Sequence, residues 1–174
     1  MSMAELPRFF SGACVVMGVT SCGKTSVGEM LAEKFGCRFI EGDKLHPVAN
    51  VAKMSAGTAL NDTDRWPWLE TIGESLGGHD ACVASCSALK HSYRQAIEKA
   101  AQRPVFFIYL HGSRQVLERR IKARRGHFMP ASLLDSQLNI LEPPTQSERA
   151  IKLDIEQPVS QLVEQALKWL LQQD

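Results

Sequence analysis

The chain has 174 residues and a formal net charge of +1, with 20 Lys and Arg residues against 19 Asp and Glu residues. Its hydrophobic fraction of 44% and charged fraction of 22% are those of an ordinary globular protein and exclude a disordered chain. The near-neutral charge argues against a nucleic-acid partner, because proteins that bind nucleic acids usually carry a basic excess. We expect a single domain over residues 1–174.

The cysteine content and the absence of targeting patterns predict the compartment. The five cysteines are odd in number and lack the paired spacing of a zinc site, so we expect no disulfide framework and a reducing environment. The N-terminus lacks the basic and apolar regions of a signal peptide, and no apolar run reaches the roughly 20 residues of a membrane span. These features predict a cytoplasmic protein with no membrane partner.

Short apolar runs alternate with amphipathic stretches along the chain. Runs without helical period predict strands that are buried on both faces; they are Ala13–Gly18, Arg38–Glu41, Ala81–Cys86, Val105–His111 and Ala150–Ile155. Apolar stripes predict helices; these are Thr25–Phe35, Arg114–Arg125 and Val159–Leu171. The alternation predicts an α/β fold with a parallel sheet flanked by helices. Residues 45–65 and 126–144 fit it poorly and are interpreted as irregular insertions that form lids or substrate loops.

The strongest local signal is the run Gly18-Val19-Thr20-Ser21-Cys22-Gly23-Lys24-Thr25, which matches the phosphate-loop pattern G-x-x-x-x-G-K-[ST]. A predicted strand precedes it and a predicted helix follows, so backbone N–H groups from Gly18 to Ser26 can surround phosphate oxygens at a helix N-terminus. Lys24 would reach the β- and γ-phosphates, and the Thr25 hydroxyl would ligate Mg²⁺. The sequence therefore predicts a protein that binds ATP or another nucleoside triphosphate.

Two absences narrow the reaction class. The chain lacks the NKxD motif with which GTPases read the base, and its third predicted strand ends in Ala84-Ser85-Cys86-Ser87 without an acidic residue. This pattern favours a small-molecule kinase, in which the phosphates, Thr25 and water hold the magnesium. Asp43 follows the second strand, where it can orient an acceptor hydroxyl and take its proton; its alternative role is a helix N-cap.

Several further motifs have a family-specific spacing. They are MGVTSCGKT, EGDKLHP, N-x-x-KM-x-x-G, L-x-D-x-DR-x-PWL, CSALK-x-x-YR and GHFMP…LL-x-SQ-x-x-x-LEPP. Together they resemble the gluconokinase family over residues 15–144, whereas shikimate and adenylate kinases share only the phosphate loop and the general layout. The resemblance implies a P-loop kinase with a five-stranded parallel sheet, a substrate side at about 43–69 and a mobile lid at about 120–144. It also implies a homodimer and phosphoryl transfer from ATP to the 6-hydroxyl of D-gluconate.

An anionic polyol such as gluconate needs a cation for its carboxylate and mixed donors and acceptors for its hydroxyls. The candidates for the carboxylate are Arg65, Lys90 and Arg94, and those for the hydroxyls are Asp43, His46, Asn61 and Ser87. The lid loop adds His127 as a substrate-side candidate. The alternatives are a loop histidine without a ligand at His46, and a surface ion pair of Arg65 with Asp62 or Asp64.

Basic residues are concentrated in the run from Arg119 to Arg125. A run of this kind usually forms a solvated helix face. Arg120 and Arg124, however, lie four residues apart on one face and lead into the predicted lid. We expect Arg124, and to a lesser extent Arg120, to contact the triphosphate, with Arg124 supplying charge in the transition state. Lys24, Asp43 and Arg124 are thus the predicted catalytic residues.

Some positions depart from the family pattern. Ser21 and Cys22 stand where Gly and Ser are usual, Ala59 replaces a proline, and Gln95 replaces an acidic residue. An outward-facing Cys22 thiol at a helix N-terminus would be acidic and reactive; the alternative is a serine substitute whose sulfur faces inward. Kinase activity on another sugar acid or small polyol, and a non-catalytic nucleotide-binding regulator, are the alternative functions.

Overall fold

A computed structural model describes residues 10–124 and 131–173. Five strands form one sheet, and their bounds are β1 Ala13–Met17, β2 Arg38–Glu41, β3 Cys82–Ser85, β4 Val105–His111 and β5 Ala150–Asp154. All strand pairs are parallel, in the order β2-β3-β1-β4-β5. The predicted fold class is confirmed, and each strand lies within one residue of its predicted bounds at either end.

Seven helices connect or flank the strands in the part of the chain that the structure describes. They are α1 Lys24–Phe35, α2 Val48–Ser55, α3 Asp62–Gly77, α4 His91–Ala101, α5 Arg114–Ala123, α6 Ala131–Ile140 and α7 Val159–Leu171. The three helices predicted from apolar periodicity are α1, α5 and α7. Among the described residues, no helix has the length and apolar character that a bilayer span requires.

The central position of β1 explains its composition. Every residue of Ala13–Met17 is fully buried, because β3 and β4 pair with its two edges and helices cover both faces of the sheet. From β1 the chain continues to β2, which lies on one side of β1 in the sheet. From β3 it continues to β4, which lies on the other side of β1. Such a reversal of direction opens a crevice at the carboxyl ends of the strands, and the phosphate loop follows β1 at this point.

The prediction of an irregular segment at 45–65 is wrong. A 3-10 turn at Gly42–Leu45 leads to α2, and α3 begins at Asp62. Apolar periodicity missed α2 because polar contacts attach it to the fold: the Asn50 amide donates to the backbone carbonyl of Asp64 at 2.9 Å, and Lys53 pairs with the Asp64 carboxylate at 2.9 Å. Val48 of this helix is 86% exposed. The segment 126–144 likewise contains α6.

Candidate active site

The phosphate loop joins β1 to α1 in a conformation that depends on its glycines. Gly18 and Gly23 have φ angles of 145° and 99°, a region that side chains rarely adopt. A Cβ atom at Gly18 would lie 2.7 Å from Cys22 Sγ and 2.8 Å from the carbonyl oxygen of Leu110. The loop therefore needs glycine at this position both for its backbone angle and for space.

Ser21 occupies the left-handed region with φ at 65°. This is the backbone region that the family's usual glycine adopts freely, and it costs a residue with a side chain about 1–2 kcal/mol. Ser21 thus keeps a backbone conformation of the glycine type.

The Cys22 thiol faces the protein interior. The residue is 1% exposed, and burial raises the pKa of the thiol despite the opposing charges of Lys24 and Arg120. The expectation of a reactive thiolate is therefore wrong, and Cys22 is the inward-facing substitute for serine. All five cysteines are free thiols.

A cavity of about 600 Å³ lies at the carboxyl edge of the sheet. The phosphate loop, the 3-10 turn and helices α1, α2, α3, α5 and α6 contribute to its walls. The predicted nucleotide-side residues that line it are Thr20, Ser21, Gly23, Lys24, Thr25, Ser26, Arg120 and Arg124. The predicted acceptor-side residues that line it are Asp43, His46, Arg65 and Ser87. Three loop residues are buried and do not line the cavity: Gly18, Val19 and Cys22.

Glu41 joins the magnesium-binding candidate Thr25 to the sheet. The Thr25 hydroxyl donates to Glu41 Oε2 at 2.6 Å, and the Ser85 hydroxyl donates to Glu41 Oε1 at 2.6 Å. No acidic residue directly follows β3, and Glu41 comes instead from the end of the adjacent β2. Gly42 makes the arrangement possible, because a Cβ atom there would lie 1.9 Å from the carbonyl oxygen of Ser85.

Gln137 of α6 contacts the phosphate loop directly. Its Oε1 accepts a hydrogen bond of 2.7 Å from the backbone N–H of Thr20, and its side chain lines the cavity. In the sequence Gln137 is recognisable only as part of the SQ motif, because the two partners of this contact are 117 residues apart. Gln137 thus connects α6, a helix inside the predicted lid segment, to the nucleotide loop.

Arg120 of α5 and Arg124, which directly follows this helix, are held differently. Arg120 donates to the backbone carbonyls of Cys22 at 3.3 Å and Ile155 at 2.7 Å, which fixes it between the phosphate loop and the segment after β5. Arg124 is exposed, and a 3.4 Å contact with Ser21 Oγ is its hydrogen bond to the described residues. The side chain of Arg124 is thus free to reorient toward a bound ligand.

Arg65 is the principal cation on the acceptor side. It is 7% exposed, and its Nη1 donates to the Leu60 carbonyl at 2.7 Å and to the Tyr93 hydroxyl at 3.1 Å. Within residues 10–124 and 131–173 no carboxylate forms an ion pair with Arg65. The surface-pair alternative is therefore wrong: Asp62 pairs with Lys90 and Asp64 pairs with Lys53.

His46 stacks on Trp68 with ring centroids 3.9 Å apart. Burial lowers the pKa of His46 to about 4; the positive charge of Arg65 acts in the same direction and the negative charge of Asp43 opposes it. The imidazole is accordingly neutral at pH 7. It lines the cavity beside Arg65, so the histidine has the placement of a ligand-binding residue.

Three of the predicted substrate-binding residues that the structure describes lie outside the cavity lining: Asn61, Lys90 and Arg94. Asn61 caps α3: its Oδ1 accepts from the Asp64 N–H at 2.8 Å, and the Asp64 carboxylate accepts from the Asn61 N–H at 2.9 Å. Lys90 pairs with Asp62 at 3.2 Å, and Asp62 also accepts a short hydrogen bond from Tyr93. These contacts correct the prediction for both residues and make them part of the support around Arg65. His127 lies outside the described residues.

Arg94 has a structural role. This corrects the prediction that it binds the carboxylate of the substrate. It is 2% exposed, and its Nε donates to Glu148 Oε1 at 2.6 Å. Its Nη2 also donates to Glu148 Oε2 at 3.2 Å. The two Nη groups donate besides to the backbone carbonyls of Ala88, Leu89 and Glu142. Arg94 therefore ties α4 to the segment between α6 and β5.

The ion pair of Arg94 and Glu148 predicts an acid-sensitive contribution to stability. Burial opposes ionisation of Glu148, but hydrogen bonds from Arg94, the Thr145 N–H and His91 lower its pKa from 4.5 to about 2. Because the folded pKa is depressed, the stabilisation is present above about pH 4.5 and is lost as the pH falls toward 2. We expect Glu148→Gln to lower the free energy of unfolding by about 2–3 kcal/mol at pH 7.

Urea unfolding at a series of pH values measures this effect. The difference between wild type and Glu148→Gln should shrink below pH 4.5 and vanish near pH 2. Glu118→Gln is the matched control, because Glu118 forms an exposed pair with Arg114 at 3.8 Å and exposed pairs contribute little. A difference that does not change with pH would contradict the assignment.

Comparisons with known proteins agree with the fold and the motifs. A sequence model of the family described as shikimate kinase matches residues 20–170. A gluconokinase of Gluconobacter oxydans is 43% identical over 177 residues, covering 99% of this chain and 96% of its own. A probable gluconokinase of Xenopus tropicalis is 43% identical and covers 86% of this chain and 88% of its own.

The solved structures give the same result. The crystal structure of a gluconokinase from Sinorhizobium meliloti superposes with a TM-score of 0.87 at 51% identity, covering 94% of this chain and 93% of that one. The APS kinase CysC of Mycobacterium tuberculosis, at 19% identity and a TM-score of 0.68, shares the fold alone. With identities of this size over nearly its whole length, the chain belongs to the gluconokinase family of P-loop kinases.

Proposed function

We propose that the protein transfers the γ-phosphate of ATP to the 6-hydroxyl of D-gluconate. The observation that carries this proposal is Arg65, a buried cation without a carboxylate partner among the described residues, which lines the same cavity as the phosphate loop. The charges of Asp62 and Asp64 interact with Arg65 without forming an ion pair. Burying a charge is costly unless it is paired, and an anionic acceptor would supply the ion pair. The gluconokinase relatives support gluconate as that acceptor.

The nucleotide half of the cavity has the groups that phosphoryl transfer requires. Backbone N–H groups of the loop and Lys24 bind the phosphates. Arg120 of α5 and Arg124, just after this helix, add positive charge. The Thr25 hydroxyl and the Glu41 carboxylate are oxygen donors of the type that Mg²⁺ prefers. When bound, this ion would neutralise charge on the β- and γ-phosphates.

The acceptor half supplies positioning and a proton acceptor. Arg65 binds the gluconate carboxylate, while His46 and Ser87 bind hydroxyl groups. Asp43 orients the 6-hydroxyl and takes its proton as the new bond from this oxygen to the γ-phosphorus forms and the bond to the bridging oxygen of ADP breaks. His127 retains its proposed place on the substrate side.

We also propose that the enzyme works in the cytoplasm as a homodimer. Five free thiols are compatible with a reducing compartment, and resemblance to gluconokinases supports the dimer. Light scattering coupled to size-exclusion chromatography measures the oligomeric state, and a mass near 19 kDa, that of one chain, would contradict the dimer.

A coupled ADP-release assay with Mg-ATP tests the substrate. Its acceptors are gluconate, shikimate, glycerate and a nucleoside monophosphate. We expect gluconate to stimulate ADP release far above the water-only rate, and the others to leave it near that rate. Stimulation by shikimate without stimulation by gluconate would overturn the assignment, and stimulation by glycerate alone would favour another sugar acid. A chain that binds ATP but responds to no acceptor would be a nucleotide-binding regulator.

A further inference from the structure

His46 and Asn50 lie four residues apart, where the 3-10 turn leads into α2. Asn50 is 3% exposed, which is unusual for an amide side chain and requires that its polar atoms have partners. His46 is half-buried and lines the cavity, whereas Asn50 does not. Asn50 thus contacts the histidine without lining the cavity itself.

The contacts of Asn50 establish which of its atoms faces the histidine. One terminal atom of the amide lies 2.9 Å from the backbone carbonyl oxygen of Asp64. A carbonyl oxygen only accepts hydrogen bonds, so this atom must be the amide nitrogen Nδ2. The same Nδ2 lies 3.3 Å from His46 Nδ1, and its two hydrogens are sufficient for both contacts.

This geometry determines the position of the imidazole proton. Because Nδ2 donates, Nδ1 of His46 must accept, and the single proton of a neutral ring then lies on Nε2. The charged groups that face the ring are Asp43 of the 3-10 turn and Arg65 of α3. Trp68 covers one ring face. Burial and Arg65 keep the ring neutral, with a pKa of about 4.

We propose that Asn50 is a positioning residue that holds the proton of His46 on Nε2, so that His46 donates a hydrogen bond to a hydroxyl oxygen of the acceptor. His46 then serves as a neutral donor beside Asp43, which accepts. An adjacent donor and acceptor suit a polyol, whose hydroxyl groups can do both. This inference rests on the proposed function for the identity of the acceptor, but the position of the proton does not depend on it.

The proton position can be measured without substrate. Protein labelled with ¹⁵N in its histidines is studied by two-bond ¹H–¹⁵N correlation between pH 6 and 8, with His46→Gln used to assign the His46 signals. We expect Nδ1 without a proton and Nε2 with a proton over this whole range. A proton on Nδ1, or on both nitrogens, would overturn the proposal even if gluconate proves to be the substrate.

Asn50→Asp reverses the hydrogen bond. The new carboxylate accepts a hydrogen bond from Nδ1, so the neutral ring keeps its proton on Nδ1. Nε2 then has no proton to donate to the acceptor. At lower pH the imidazolium carries a proton on both nitrogens, and its Nε2 still donates. The quantity to compare is the gluconate KM of Asn50→Asp divided by that of wild type at the same pH. We expect this ratio to rise about tenfold between pH 6 and 8.5. The KM for Mg-ATP should change little, and a ratio that is constant with pH would contradict the proposal.

A second pair of variants keeps the test decisive if Asn50→Asp folds poorly. The amide nitrogen of Gln reaches the place of imidazole Nε2, whereas that of Asn reaches the place of Nδ1. We therefore expect His46→Asn to raise the gluconate KM about tenfold and His46→Gln to raise it clearly less. Equal losses in the two variants would contradict a donor at Nε2. If wild type does not phosphorylate gluconate, the proposed function fails, and the correlation spectrum still decides the proton position.

Discussion

Asp43→Asn is expected to lower kcat for gluconate phosphorylation by about 10²–10³-fold, which is within the range that a general base contributes. The amide keeps the size of the carboxylate and can still contact the acceptor hydroxyl, but it cannot take the proton. Asp43 lines the cavity from the 3-10 turn, and Gly42 beside it approaches the end of β3 closely. The KM for Mg-ATP should therefore change little, because the nucleotide is held by the loop after β1.

Steady-state kinetics in both substrates, together with a thermal unfolding curve, measure the effect. Asp80→Asn is the control, since Asp80 is exposed in the turn before β3 and outside the cavity. A loss that appears only in the KM for gluconate would make Asp43 a binding residue rather than the base. A loss of folded protein would assign it to the structure.

The parts of the fold that the sequence predicted depend on local patterns. The strands are recognisable because they are buried on both faces and so form unbroken apolar runs, and α7 because its apolar stripe covers one side of the sheet. Helix α2 has apolar residues, but they do not mark a buried face: Val48 is 86% and Val51 is 47% exposed. Its docking depends on Asn50 and Lys53, which bind Asp64 on another helix. Contacts of this kind leave no period in the sequence.

The same distinction applies to the site. The phosphate loop is local, and its glycines and Lys24 could be assigned from spacing alone. Whether an arginine binds ligand or protein depends on its tertiary partners, which is why Arg65 and Arg94 were predicted alike. Arg94 forms an ion pair with Glu148 of a distant segment. Arg65 instead donates hydrogen bonds to a backbone carbonyl and a tyrosine hydroxyl, and it lines the cavity.

Arg124→Ala is expected to lower kcat by about 10²–10³-fold, the usual effect of removing a group that stabilises charge in the transition state. Arg124 is exposed and contacts Ser21 only at 3.4 Å, so its removal should leave the thermal unfolding curve and the KM values almost unchanged. An interaction that forms only in the transition state lowers turnover rather than ground-state binding.

Arg120→Ala and Lys122→Ala make the comparison decisive, because all three residues come from the same stretch of α5 and its end. Arg120 binds the carbonyls of Cys22 and Ile155, so its loss should lower the unfolding temperature and also weaken Mg-ATP binding through the phosphate loop. Lys122 is exposed and outside the cavity, so its loss should change neither property. If Arg124→Ala resembles Arg120→Ala in stability, Arg124 is a structural residue. If it resembles Lys122→Ala in turnover, the transition-state charge must come from elsewhere in the chain.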